Sequence, residues 1–477
     1  MNFNLTTADR NSVWGLLQKK LEDYYAHTER LKTSVYPTRK EVHEVLSANF
    51  ERGRSTQEAI KEVFHGLSKY AVHTPHPSYF GMFNPRPNFP SITADIISAV
   101  MNPQLAAWGH APYAVEVEHL LIQEIGKKFG YKTPQIDGVF ATGGQEAHIT
   151  GMLCALHEKY PDFARTGARG LNKQPVVYCS SASHHATIKA ARVCGLGADA
   201  VKYIEVNEQQ EMRVDKLEHQ IKADIRDGLQ PFFVFATMGT TGSGAIDPIK
   251  KIAVLAKKYN LWLHADAAYG GAVRLTKEYS KLLDGIERSD SITFDAHKWL
   301  SVPMATSLFL TKHPYVLGRA FSISANFMPQ EEDEIDRLGS YTHSIQWSRR
   351  FIGLKLYMPL LVFGWEGYEQ TIMHQIKMGQ YPKEQLTIHG WKLYNKTELP
   401  IACFTDEQHE YDLNFSKYIY DSVLEEGSAW IINYPYEEFA TLRACITNYD
   451  TNEGHLDALI EVLNRKREQY IKKIAPK

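Results

Sequence analysis

The run Ser291-Ile292-Thr293-Phe294-Asp295-Ala296-His297-Lys298-Trp299 ends an apolar, β-rich segment on a lysine. Held at a strand end among aromatic neighbours, such a lysine is open to desolvation, which disfavours the ammonium and leaves an amine able to attack a carbonyl. The plainer alternative is a solvated surface charge, the commoner fate of lysine. A second apolar strand, Leu261-Trp262-Leu263-His264-Ala265-Asp266-Ala267-Ala268-Tyr269-Gly270-Gly271, carries a carboxylate just before two glycines. Side chains alternate along a strand, so His264, Asp266 and Ala268 share one face. Asp266 can pair there with a protonated pyridine nitrogen while Ala268 leaves room for a flat ring. Otherwise Asp266 simply hydrogen-bonds the turn amides before Gly270.

Two further stretches complete the set. Gly138-Val139-Phe140-Ala141-Thr142-Gly143-Gly144-Gln145-Glu146-Ala147-His148 reads as a strand, a Gly-Gly turn and the start of a helix running through Leu156. That geometry aims free backbone N–H groups and the helix dipole at an anion such as a phosphate. An ordinary tight connection would look the same. Ser181-Ala182-Ser183-His184-His185-Ala186-Thr187 is a His-rich turn before a small-residue helix, where an imidazole can stack on a planar group or merely cap the helix.

In the order phosphate turn, stacking His, ring-nitrogen Asp and amine Lys, these pieces resemble the pyridoxal-phosphate-dependent group II amino-acid decarboxylases. The resemblance is reinforced by His76-Pro77-Ser78-Tyr79-Phe80-Gly81 with Asn84-Pro85 and by Ala236-Thr237-Met238-Gly239-Thr240-Thr241 followed by Asp247. Ser348-Arg349-Arg350 leading into Leu354-Lys355-Leu356 adds to it, as do Leu442-Arg443 and Asn448-Tyr449-Asp450-Thr451. It runs from about residue 70 to the C-terminal region.

The resemblance implies pyridoxal 5'-phosphate as cofactor, with Lys298 joined to its aldehyde and Asp266 holding the ring nitrogen protonated so that the ring is an electron sink. It also implies that His184 stacks on the ring, that Gly143, Gly144, Gln145 and His297 surround the phosphate, and that Thr237 lies near the ring's 3-oxygen. Tyr341, in a polar loop between about Leu317 and Trp347 that includes Gln330-Glu331-Glu332-Asp333-Glu334, is the candidate for protonating the carbon that CO2 leaves; an ordinary packed tyrosine is the alternative. Two residues depart from the family pattern. Gln145 replaces the usual Ser or Thr after the glycines, and His148 replaces an Asn three residues on. A Gln amide can still donate to phosphate.

The elements that must position these residues follow from periodicity. Short apolar runs at Val176 to Cys179, Ala200 to Val206, Phe232 to Ala236, Leu261 to Ala265, Ile292 to Phe294 and Ser307 to Leu310 alternate with helical spacers such as Val214 to Ile225 and Pro248 to Tyr259. This specifies an α/β, mostly parallel sheet, with ligands beyond the carboxyl ends of the strands. The resemblance gives it as the type I fold of pyridoxal-phosphate enzymes. We expect an N-terminal helical arm over 1–70, a large cofactor-binding domain over 71–364 and a small α+β domain over 365–477. In the arm, Val13, Leu16, Leu17, Leu21 and Tyr24 share a helical face, and Ser55 with Glu58 forms a capping box. Those faces need a partner, either their own chain or, as the resemblance implies, a second subunit in a homodimer with the active site at the interface. Pro382 predicts a kink or break in the long helix after Gly364.

The 477 residues, 44% hydrophobic with 53 basic and 55 acidic side chains, suit an enzyme of more than one core, and a net charge of −2 without a basic cluster argues against nucleic acid. No apolar stretch reaches the roughly twenty residues of a membrane span, and Met1-Asn2-Phe3-Asn4 does not open a signal peptide, so a cytoplasmic location is expected. The five cysteines, Cys154, Cys179, Cys194, Cys403 and Cys445, lack metal-ligand spacing and read as reduced core thiols.

The leading expectation is decarboxylation of an L-amino acid to its amine, with an aromatic substrate favoured on Phe80, Phe83 and Trp108, each also explicable as core. Arg86, Arg350 and Arg443 are carboxylate-binding candidates that would suit an acidic substrate, or structural pairs. Decarboxylation of a basic amino acid, aldehyde-forming oxidative deamination and retro-aldol cleavage are the neighbouring outcomes of the same site. A metallohydrolase with His184, His264, Asp266 and His297 as ligands, and a catalytically silent binding protein, are the other classes; no metal is expected.

Overall fold

The computed structural model describes residues 3–46, 50–323, 339–436 and 438–474. Residues 324–338, which hold Gln330 to Glu334 of the expected polar loop, lie outside the described residues. By contacts the chain forms two units, one of Pro87–Gln380 with Asn395–Ile401, the other of Met1–Arg86, Tyr381–Tyr394 and Ala402–Lys477. The changes at 86 and 380 do not coincide with the boundaries at 70 and 364 drawn from the sequence.

The larger unit is built on seven strands: β1 (Asp137–Ala141), β2 (Pro175–Ser180), β3 (Val201–Ile204), β4 (Gln230–Thr237), β5 (Trp262–Asp266), β6 (Ser291–Asp295) and β7 (Ser307–Thr311). They lie in the order β1-β7-β6-β5-β4-β2-β3. Only β7 runs against its neighbours; the other pairings are parallel. The mostly parallel α/β sheet expected from the alternation is therefore present. Its strands are near-continuous apolar runs because helices cover both faces, and β2, β6 and β7 are buried at every residue. The helix Gly144–Lys159 lies in this core, burying Ala147, Met152, Cys154, Ala155 and Leu156 beside Val177, Phe233 and Phe235.

A buried ion pair ties β1 to the chain that follows the sheet. Arg349 pairs with Glu118 and donates to Phe140 O at 2.8 Å, and Glu118 accepts the Gly353 amide at 2.8 Å. Burial pushes the Glu118 carboxyl up, while Arg349 and the Gly353 and Ile352 amides pull it down. Because removing one partner strands the other, Arg349→Met is expected to cost about 3 kcal/mol or more in urea-induced unfolding. A loss below about 1 kcal/mol would class the pair with exposed ones.

Gly364 at φ 61° and ψ −176° is the one residue in the helix Leu354–Ile388 with non-helical backbone angles. The expected break at Pro382 is therefore corrected. A proline ring has a helix-compatible φ and sacrifices one hydrogen bond, whereas the left-handed angle at Gly364 is open to glycine at no steric cost.

The smaller unit contains β8 (Trp391–Leu393), β9 (Ile401–Asp406), β10 (Ile432–Asn433) and β11 (Leu442–Cys445), in the order β10-β11-β9-β8. The helices Leu413–Glu426 and Glu453–Ile474 pack on each other beside it. Its N-terminal helix Thr56–Tyr70 starts with the capping box of Ser55 and Glu58 read from the sequence. Neither Thr7–His27 nor Thr56–Tyr70 fully buries any residue, and Trp14, Val63 and Leu67 are exposed. All five cysteines are buried, and none forms a disulfide. Among the described residues no helix is long and apolar enough to cross a membrane.

Candidate active site

Parallel strands deliver their last side chains to one edge of the sheet, and Thr237, Asp266 and Asp295 are the terminal residues of β4, β5 and β6. Register sets them side by side, with Thr237 opposite Asp266 and Asp266 opposite Thr293. Lys298 follows β6 by one turn, its amide donating to Asp295 O at 3.1 Å and its Nζ lying 3.1 Å from Asp295 Oδ2. The lysine side chain is 25% exposed and the carboxylate 2%. Ser307 donates to the other Asp295 oxygen at 2.6 Å.

Asp266 is held from two sides. Its Oδ1 accepts the Ala268 amide at 3.2 Å, and its Oδ2 lies 3.4 Å from His148 Nε2. Burial alone would raise its carboxyl. His148, by its electrostatic interaction and hydrogen bond, the Lys298 ammonium and the Ala268 amide outweigh it and hold the group well below the usual carboxylate range. An anion fixed in this way is what a protonated ring nitrogen needs opposite it.

The turn after β1 is extended at Gly143 and starts the helix Gly144–Lys159. A Cβ on Gly144 would sit 2.9 Å from Asp295 Oδ2, so glycine is required there by close approach; at Gly143 nothing lies within 4 Å. Thr142 donates through N and Oγ1 to Glu146 Oε2, at 2.9 and 2.6 Å. The Gly144 and Gln145 amides make no hydrogen bond among the described residues, which leaves two first-turn donors for a phosphate. The Gln145 side-chain amide donates to Ala186 O at 3.2 Å, tying this turn to the His184 turn.

His184 accepts the Ala186 amide on Nδ1 at 3.1 Å and its ring is exposed. Partial desolvation lowers its pKa, with Asp266 opposing and Lys298 and His148 adding to the shift, so the ring is neutral near pH 7 and within electrostatic reach of both site charges. Ser183 Oγ lies 2.9 Å from Thr237 Oγ1. His297 is buried, its Nδ1 3.0 Å from Thr306 O and its Nε2 3.9 Å from Asp295 Oδ2; burial lowers its pKa. The loop after Lys298 is strained, with Ser301 at φ 54° and Ala305 at φ 65°. Lys355 clamps it by donating to Met304 O at 2.7 Å and Ala305 O at 3.1 Å, and burial pushes that amine down to about 8.

Asp247 supports the same edge. It accepts the Thr237 amide at 2.8 Å and the Met212 amide at 2.7 Å, and burial, against those two bonds, pushes its carboxyl up to about 7. The folded state therefore holds a proton that the unfolded chain releases near pH 4. Stability from this proton is complete below about pH 4 and lost as pH rises through about 7, by up to about 4 kcal/mol. Urea midpoints from pH 4 to 8 should fall less steeply for Asp247→Ala than for the wild type; parallel slopes would exclude this assignment.

Other candidates fall elsewhere. Tyr341 lies in the turn Ser340–Thr342, its amide donating to Ala106 O at 3.1 Å and its ring 5.3 Å from that of Trp347. The Trp108 indole donates to Glu116 at 2.7 Å, and Arg350 pairs with Asp95 at 2.9 Å. Phe80 and Phe83 are buried within the smaller unit, where the Arg443 guanidinium lies 5.2 Å from the Phe83 ring centre. Arg86 is paired with Asp450 at 2.7 Å and lies over Tyr25. Among the described residues no three His, Cys, Asp or Glu side chains converge as metal ligands. The four-ligand hydrolase thus has no site, because His264 faces His148, Ser291 and Thr293 instead.

Sequence reasoning assigned no role to Asp295, Thr293 or Asp247 and read His148 only as a departure at the phosphate turn. Asp295 was accessible through its spacing of three from Lys298. The others pair across ten or more residues and left no local signal, apart from the unusual histidine itself.

A lysine and a fixed carboxylate at neighbouring strand ends, with free amides at a glycine turn, define a type I α/β pyridoxal-phosphate enzyme. The residues fit the cofactor: an amine for its aldehyde, an anion for its ring nitrogen, first-turn amides for its phosphate. The family described as pyridoxal-dependent decarboxylase conserved domain matches residues 41–406. Human cysteine sulfinic acid decarboxylase is 28% identical over 441 residues, covering 89% of each chain. The acidic amino acid decarboxylase GADL1 of Xenopus tropicalis is 26% identical over 95% of this chain and 91% of its own. The aromatic-L-amino-acid decarboxylase of Bacillus atrophaeus is 27% identical over 89% and 90%. The crystal structure of mouse CSAD superimposes with a TM-score of 0.88 at 26% identity, over 95% of this chain and 98% of that one.

The chain belongs to the pyridoxal-dependent decarboxylase family. It is a pyridoxal-phosphate-dependent carboxy-lyase acting on an amino acid. The expected preference for aromatic substrates is not supported, since relatives up to 30% identical are decarboxylases of acidic substrates by name, beside the aromatic one at 27%.

Proposed function

We propose that the chain decarboxylates an amino acid with an acidic side chain, a carboxylate or sulfinate, and that Lys298, Asp266 and His184 carry the reaction. The observation that carries the site assignment is the convergence of the Lys298 amine and the anionic Asp266 carboxylate at the ends of adjacent strands. The substrate class rests on the relatives.

Pyridoxal phosphate, when bound, supplies the electron sink that accepts the pair left by departing CO2. The chain's own groups do the rest. Lys298 Nζ would hold the cofactor through its aldehyde. Asp266 would hold a proton at the ring nitrogen, His184 would cover one ring face, and the Gly144 and Gln145 amides, with Gly143 and His297 nearby, would hold the phosphate. Ala268 keeps the approach to the ring clear and Thr237 supports the 3-oxygen edge. Tyr341 is the candidate for returning a proton to the substrate's α-carbon. The outcome depends on holding the substrate carboxylate perpendicular to the ring, where its bond to the α-carbon is the one weakened.

A panel of L-amino acids read for amine and CO2 tests this reading. Release from aspartate, glutamate or cysteine sulfinate at kcat/KM at least tenfold above any aromatic or basic amino acid is expected, and the reverse ranking overturns the substrate class. Aldehyde with ammonia would overturn decarboxylation itself. We further infer a homodimer, since the helices Thr7–His27 and Thr56–Tyr70 fully bury no residue. Sedimentation at micromolar concentration should give twice the chain mass, and a monomer would exclude it.

A further inference from the structure

Behind Asp266 runs a line of buried polar side chains that the proposed chemistry does not use: Trp262 and His264 of β5, Ser291 and Thr293 of β6, and His148 of the helix Gly144–Lys159. Counting hydrogens gives the line a direction. The Trp262 indole can only donate, and it donates to Ser291 Oγ at 2.8 Å. The Ser291 hydroxyl hydrogen then has one acceptor among the described residues, His264 Nδ1 at 2.7 Å. Burial keeps His264 neutral, so with Nδ1 accepting, its proton sits on Nε2. That Nε2–H faces His148 Nδ1 at 3.2 Å and Thr293 Oγ1 at 3.0 Å, and Thr293 Oγ1 is 3.4 Å from His148 Nδ1.

Whether His264 donates directly or through the Thr293 hydroxyl, His148 Nδ1 ends as an acceptor. The His148 proton is then on Nε2, which faces Asp266 Oδ2 at 3.4 Å. The opposite direction leaves the Ser291 hydrogen without an acceptor and turns an imidazole lone pair on the carboxylate. A fully satisfied buried chain is favoured over one with a lost bond and a repulsive contact.

Resting on the reading of Asp266 as the ring-nitrogen partner, we propose that His148 is a positioning residue that keeps the shared proton on the cofactor nitrogen rather than on Asp266. A hydrogen bond to a carboxylate favours its ionised form, so the Asp266 anion attracts a ring proton without taking it. Without that donor, a carboxylate with so little solvent would claim the proton and leave the ring nitrogen neutral. The other ionisable groups in electrostatic reach of Asp266 are Lys298, His184, Asp247 and His264, and all but His264 are common to every variant below. Histidine suits the position because its two nitrogens bridge Asp266 and the His264–Thr293 pair, whereas the family's usual Asn offers one short amide.

The test is the 15N resonance of holoenzyme reconstituted with ring-15N pyridoxal phosphate, together with the cofactor dissociation constant, at one fixed pH. His148→Phe keeps the ring volume and removes both nitrogens. Its resonance is expected to move towards that of an unprotonated pyridine, and its dissociation constant to rise about tenfold, the effect of one hydrogen bond to a charged group. His148→Asn should recover part of both changes. If His148→Phe does not fold, His264→Leu interrupts the line one residue back and should move the resonance in the same direction. A wild-type resonance in the folded variant used overturns the proposal. Asp266→Asn separates the two levels: if it moves the resonance while the His148 variant does not, the positioning role fails alone. If it leaves the resonance unmoved, the ring-nitrogen reading of Asp266 fails and takes the proposal with it.

Discussion

The Lys298→Ala enzyme is expected to lose at least about 1,000-fold in kcat, the order of effect of removing a positioned nucleophile. The amine is set one turn beyond β6, with its Nζ 3.1 Å from an almost fully buried carboxylate that fixes its place. In the proposed reaction, deleting it removes the covalent hold on the cofactor. Borohydride treatment of the wild type followed by peptide mapping should fix the pyridoxyl tag on residue 298, and the variant should carry none. A tag on another lysine, or a variant that keeps a tenth of the wild-type rate, would remove Lys298 from the site.

Asp266→Asn should lower kcat by about 100- to 1,000-fold while leaving the fold intact. Its carboxylate is the anion at the end of β5, and the His148, Lys298 and Ala268 contacts that lower its pKa are present without a ligand. An amide of the same shape keeps the packing but loses the charge, so the ring nitrogen no longer holds its proton and the electron sink weakens. Steady-state rates with the best substrate of the panel, beside unchanged thermal unfolding, check this. An unchanged kcat would mean that the ring nitrogen faces some other group.

Several elements of the sheet were legible within a residue or two. Val176 to Cys179 became Pro175–Ser180, Ser307 to Leu310 became Ser307–Thr311, and the helix read at Val214 to Ile225 ends at Arg226. Their signals are local, because a strand buried on both faces is rich in apolar residues and a surface helix carries them at every third or fourth position. Substrate recognition was illegible for the converse reason. Arg86 and Asp450 are 364 positions apart, yet they meet at 2.7 Å and leave the arginine paired within the smaller unit. Trp108, read as a substrate contact, instead donates to Glu116.

The order of the amino acids by itself determined the layered α/β sheet, the Gly-Gly turn after β1 and the strand-end placement of Asp266 and Lys298. These follow from backbone sterics and side-chain alternation, which act between near neighbours. Tertiary structure alone decided that His148 stands behind Asp266, that Asp247 anchors the Thr237 amide, and that the long helix breaks at Gly364 while passing Pro382. Those outcomes depend on which faces of distant segments are pressed together and on how each buried donor and acceptor is then satisfied, a balance that no short stretch of chain contains.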